Sequence, residues 1–117
     1  MSKFQIQRYQ VAIAVAHGAV ASFKVQNVPL NGILLGHKLK SSAAGDGTPT
    51  ITLNLKDADG DAVYSKASLA TNTTTITDLT ADQAVALASN FTIEALFSAN
   101  QTVTDQTVTV TLLIQRG

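Results

Sequence analysis

The stretch Ile51–Ala70, ITLNLKDADGDAVYSKASLA, decides the fold class. Ile51, Leu53 and Leu55 stand at every second position with polar residues between them. A period of two puts such residues on one face of a β-strand. Lys56–Asp61 (KDADGD) then interrupts the pattern, and its Asp59–Gly60 pair is a strong hairpin signal. Ala62–Ala70 resumes as a second strand-like segment. A hairpin with one apolar and one polar face needs a second layer to cover it.

Working outward, the same period recurs along the chain. It is carried by Phe4 and Ile6, then Val11, Ile13 and Val15, then Ala21, Phe23 and Val25. Ile33, Leu35, His37 and Leu39 repeat it, as do Phe91, Ile93, Ala95 and Phe97. Val108, Val110, Leu112 and Ile114 close the chain, with threonines such as Thr107, Thr109 and Thr111 on the opposite parity. Pro29–Asn31–Gly32 marks a turn, and Ser41–Pro49 (SSAAGDGTP) a small-residued loop. Thr80–Asn90 is ambiguous. Thr80 and Gln83 match a capping box and predict a short helical turn, yet Val85 and Leu87 share strand parity with Phe91. The expected fold is an all-β antiparallel sandwich, jelly-roll or immunoglobulin-like. It has about 7–8 strands and at most one short helix, in one domain over residues 1–117.

Composition narrows the function. At 117 residues folding buries roughly 65% of the chain's surface, enough for one core. Only 5% of residues are aromatic, so that core is aliphatic. Charged residues make up 14%, well below the usual quarter, and the net charge is zero. The eight Lys and Arg are scattered, which argues against a nucleic-acid partner. Absence of cysteine excludes disulfides and thiolate chemistry. Gln10–Ala21 has a brief apolar run broken by His17 and Gly18, and reads as a strand rather than a leader. No run approaches the roughly 18 apolar residues that span a membrane.

Each candidate for chemistry has a plainer explanation. Asp57, Asp59 and Asp61 alternate as calcium ligands do, but Gly60 stands fourth and no Glu follows at the position an EF-hand requires. An Asp-Gly turn accounts for all four residues. His17 and His37 continue the apolar parity of their strands, so each is expected at a sheet end or half-buried, with one ring nitrogen on a carbonyl. Two histidines fall short of a catalytic zinc site, and Glu94, the only glutamate, lies on the polar face of its strand. No nucleophile elbow or phosphate-binding loop is present. The sequence therefore predicts no catalytic, cofactor-binding or metal-binding residues and no cofactor. Three N-x-T sequons, at Asn72, Asn90 and Asn100, are coincidences expected of a Thr-rich chain. Without Trp, and with only Tyr9 and Tyr64 as tyrosines, aromatic platforms for sugar are scarce.

Interaction remains. Met1–Gln10 is a strand-like chain end that either adds to a neighbour's sheet edge or pairs within its own domain. Ser41–Pro49 is long enough to drape over a partner. Low charge and a Thr-rich exterior suit close packing in a symmetric assembly.

The segments Ile51–Ala70 and Phe91–Gly117 resemble parts of small β-sandwich proteins of tailed-bacteriophage virions, of the capsid cement or decoration type. The D-x-D-G hairpin followed by Val63–Ser65 (VYS), and the closing Thr107–Ile114 strand ending in Arg116 and Gly117, carry the resemblance. It spans roughly the C-terminal two-thirds of the chain. It implies a non-enzymatic protein made in the host cytoplasm and seated on the outer capsid surface. Such a protein clamps neighbouring subunits of the major capsid protein, often as a homotrimer. Its first strand or arm and its loops carry the contacts. The rival expectation is an adhesion or carbohydrate-binding module, and a more distant one is a small hydrolase or metal enzyme on the same scaffold.

Overall fold

The turn in KDADGD is the apex around which the chain is folded back on itself. In the computed structural model, which describes residues 5–80, 82–103 and 105–116, this turn joins β4 (Thr50–Lys56) to β5 (Ala62–Ala70). Asp57 N donates to Asp61 O at 2.8 Å and Gly60 N to Asp57 O at 3.0 Å, closing the hairpin. The Asp57 carboxylate accepts the backbone amides of Asp59 and Asp61. Gly60 sits at φ 90°, which a side chain tolerates poorly. The turn reading of these aspartates therefore holds.

Moving away from the apex, successive pairs of strands flank the hairpin. β3 (Gly32–Ser41) pairs with β6 (Thr74–Asp78) and with β7 (Val85–Leu87). β2 (Val20–Val28) pairs with β8 (Phe91–Gln101), and β1 (Gln5–Val15) with β9 (Gln106–Arg116). Every pairing is antiparallel. The folded-over ribbon then rolls up, β9 joining β3 and β8 joining β4. The result is a sheet ordered β1-β9-β3-β6, with β7 also on β3, facing a sheet ordered β2-β8-β4-β5. This is a jelly roll. The first and last strands lie side by side, so the immunoglobulin-like alternative is discarded.

The core is aliphatic, as the composition requires. Leu34, Leu39, Ile51, Leu53, Leu55, Ile93, Val108, Val110, Leu112 and Ile114 are wholly buried between the sheets. Phe23 and Phe97 meet edge to face with ring centres 5.7 Å apart.

Three features depart from the sequence reading. First, Ile6 is 65% exposed. β1 pairs with β9 without a break from Gln5↔Arg116 to Val15↔Gln106, so burying Ile13 and Val15 turns every even-numbered residue outward. Phe4, read with Ile6, lies outside the described residues. Second, a β-bulge between Leu34 and Gly36 switches β3 from one face to the other. Leu34, not Ile33 or Leu35, therefore enters the core, and His37 and Leu39 follow on the inner face after the bulge. Third, Thr80–Asn90 contains a strand, and no helix occurs among the described residues. The capping-box bond from Thr80 N to Gln83 Oε1 forms, but it closes a turn. Val85–Leu87 then pairs with Gly32–Leu34 and buries Leu87. Ala81, part of the expected helical face, lies outside the described residues.

The N-terminal strand pairs within its own chain. Of the four sheet edges, β2 and β5 carry register shifts and β6 and β7 are short, whereas β1 is long and unbroken.

Gly60→Val is expected to destabilise the fold by about 2 kcal/mol, because a β-branched residue is forced to positive φ. The cost is backbone strain alone, since a Cβ there meets nothing within 4 Å. Urea denaturation measures it, and an unchanged midpoint rejects this turn geometry.

Candidate functional site

Two places combine polar groups with accessible space: the gap between the sheets beside β5, and the outer face of the β1-β9-β3-β6 sheet.

At the first, β3 points His37 inward opposite Leu112, and β5 points Tyr64 inward opposite Leu55. His37 Nε2 lies 2.7 Å from the Tyr64 hydroxyl, and the rings meet at 5.4 Å. His37 is thus a polar bridge between the two layers. It is 2% exposed, and its Nδ1 is buried with no hydrogen-bond partner among the described residues. Burial first, and then the Lys66 charge, lower its pKa from 6.5 to about 4. Burial likewise raises the pKa of Tyr64. The expectation of a half-buried histidine on a carbonyl is corrected: the ring is fully buried on a phenol. A cleft of about 400 Å³ opens beside it, lined by Tyr64, Lys66, Asp78 and Gln83 among others.

His17 ends elsewhere, in the exposed connection between β1 and β2. Its Nδ1 is 2.6 Å from Asp105 Oδ1, and its backbone amide donates to the same oxygen at 2.9 Å. The amide bond, then the ring, holds the Asp105 carboxyl below the usual carboxylate range. A carboxylate, not a carbonyl, is the partner. The two histidines are not brought together, and among the described residues no three His, Asp or Glu side chains are placed to hold a metal ion.

The outer faces of the two sheets differ in kind. On the β2-β8-β4-β5 sheet, Glu94 points outward as its parity requires, yet neighbouring side chains cover it to 4% exposure. Its carboxylate accepts from Ser22, from Asn54 at 2.9 Å and from Lys56 at 3.0 Å. Ser65 in turn donates to Asn54 at 2.7 Å. Burial alone would raise the Glu94 pKa; these three donors and the Lys56 charge outweigh it and hold it low. Sequence parity gave the face but not the burial, which arises from β2 and β4 flanking β8.

The β1-β9-β3-β6 sheet presents the opposite character. Arg8, Leu113, Gly36 and Asp78 are paired in one row across it, and Gln10, Thr111, Lys38 and Ile76 in the next. Gly36 adds no side chain to its row because a Cβ there would lie 2.7 Å from the Thr77 carbonyl oxygen. Beside it is a groove of about 200 Å³ lined by Arg8, His37, Lys38, Ile76, Asp78, Thr111 and Leu113. Ile6, Ile33 and Ile76, three of the most exposed large apolar residues, share this face. Among the described residues none of Arg8, Lys38 and Asp78 is in an ion pair. Sequence reasoning missed this surface because it assigned Ile6 and Ile33 to the core. No aromatic ring is fully exposed among the described residues, which leaves little for sugar stacking.

No family model matches the sequence, and no curated protein matches it significantly. Among solved structures, a chain of the capsid asymmetric unit of cyanophage Pam1 superposes with a TM-score of 0.53 at 23% identity, over 97% of this chain and 85% of that one. This is a likeness of fold. A chain of infectious bursal disease virus, Gx strain, gives a TM-score of 0.42 at 14% identity over 97% of this chain and 32% of its own, too slight to argue from.

A histidine kept neutral by burial takes up a proton on unfolding. Its stabilisation is lost as the pH falls from 6.5, the unfolded value, to about 4, the folded one. The total is roughly 3 kcal/mol. Glu94, held low, adds its own loss only below its ordinary value of 4.5. Urea denaturation between pH 6.5 and 4.5 should show the slope in the native chain and lose it in His37→Gln, which keeps a partner for Tyr64. An equal slope in the variant would remove His37 as its source.

Proposed function

We propose that this chain is a non-enzymatic virion structural protein of the cement or decoration type, one sandwich domain that binds the outer surface of an assembled capsid. The observation that carries the reading is the jelly-roll order, shared over nearly the whole chain with a chain of a phage capsid asymmetric unit. Because the likeness takes in 85% of the phage chain, that chain is itself little more than one such domain. A protein of that size suits an accessory subunit added to a shell. The resemblance of Ile51–Ala70 and Phe91–Gly117 to cement proteins points the same way. The partner in this reading is the major capsid protein, and the chain associates with itself, as a homotrimer where the lattice offers threefold positions.

The mechanism is linkage. A subunit that binds the assembled shell and not the free coat subunits stabilises it by RT ln(1 + [L]/Kd), about 2.7 kcal/mol per site when its concentration is a hundredfold above Kd. Several modest contacts on one oligomer multiply into long retention. This needs surface and no turnover, in keeping with a molecule whose only buried carboxylate, among the described residues, is fully hydrogen-bonded.

Capsids assembled without this protein provide the test. Added chain should co-sediment saturably with expanded capsids and raise their melting temperature, and light scattering should find an oligomer. A monomer that leaves capsids unbound and unstabilised overturns the reading.

A further inference from the structure

We propose that the capsid-facing surface is the outer face of the β1-β9-β3-β6 sheet, centred on the groove at Gly36. We infer that its partner presents an aliphatic side chain to the groove and carboxylates to Arg8 and Lys38. This deepens the cement-protein reading and rests on it.

The two outer faces make the choice. The β2-β8-β4-β5 face has its buried charge closed by hydrogen bonds: Glu94 is satisfied by Ser22, Asn54 and Lys56. Docking a partner there would gain nothing for those groups. The opposite face has Leu113 beside Gly36 on its two middle strands, exposed isoleucines on its edge strands β1 and β6, and cations interspersed among them. Ile6 and Ile76 are 65% and 69% exposed, although a β-sheet of this size could have put polar residues there at no cost to its core. Arg8, Lys38 and Lys40 stand outward on it against Asp78 alone, and none of the three cations is in an ion pair among the described residues. The excess is positive, so the complementary surface is acidic.

The size of the groove decides what enters it. About 200 Å³ falls below the roughly 300–1,000 Å³ of a small-molecule pocket. It admits one side chain from a partner surface, with Leu113 as floor and Ile76 as wall. A Cβ at Gly36 would collide with the Thr77 carbonyl oxygen, so the position between Leu113 and Asp78 in that row carries no side chain.

Co-sedimentation with capsids lacking the protein tests this, with variants at exposed positions that leave the core alone. The Arg8→Glu/Lys38→Glu double variant should bind at least tenfold more weakly, and Ile76→Lys several-fold more weakly. Native binding should weaken as salt rises. Val63→Lys, which removes an exposed aliphatic from the other sheet, should bind as the native chain does. Circular dichroism and melting point establish that each variant is folded. Native chain that binds while the double variant and Ile76→Lys bind within twofold of it overturns this assignment alone. Native chain that ignores capsids overturns both it and the functional reading. Variants that lose self-association and keep capsid binding make this face a contact between copies, and the assignment also fails.

Discussion

Everything in the molecule depends on a dry contact between two sheets made almost wholly of aliphatic side chains. Each fully buried Leu, Ile or Val contributes about 1.5–3 kcal/mol of transfer free energy. Ten such residues are wholly buried from β3, β4, β8 and β9 alone, the strands at the middle of the sheets. With few aromatic residues the layers interlock through many branched chains, so no single ring anchors the core. Because the core takes every second residue, the functional surface consists of the positions left over.

The jelly roll follows from one hairpin extended in both directions. The Asp57–Asp61 turn starts it, and each later pair of strands falls in the opposite sheet to the one before, until the two ends of the chain meet in β1 and β9. Rolling the ribbon creates two outer faces with different neighbours. On one, Ser22 and Asn54 flank Glu94 and absorb its charge. On the other, Arg8, Lys38 and Lys40 make no ion pair among the described residues, and Arg8 and Lys38 stand beside a recess at Leu113. A jelly roll by itself does not imply a function.

Among the buried polar side chains, which include Ser41, Gln101 and Gln106, His37 is the one that bridges the two layers through a ring. It ties β3 to β5 through Tyr64 and leaves Nδ1 unsatisfied, at a cost that the surrounding apolar contacts offset. Such a bridge fixes how one sheet sits on the other, which aliphatic packing alone specifies loosely.

Period two along the chain determined the strands at Ile51–Leu55, Phe91–Phe97 and Val108–Ile114 with their inner residues, and the Asp-Gly turn was legible beside them, because these depend on neighbours two to five positions away; β6 carried no such signal. The same information placed Glu94 on an outer face and identified His37 as inward-facing. What it could not contain is anything set by pairing between distant segments. The outward turn of Ile6 is imposed by register against β9. The bulge that puts Leu34 rather than Leu35 in the core is visible only in the pairing of β3 with β9. The Thr80–Gln83 bond looked like a helix start until β3 claimed Val85–Leu87 as a strand. The groove joins Arg8 from one end of the chain to Leu113 at the other, through a glycine and an aspartate from between. Local chemistry decides which way a residue prefers to point, but which residues become neighbours is decided only when the ribbon closes.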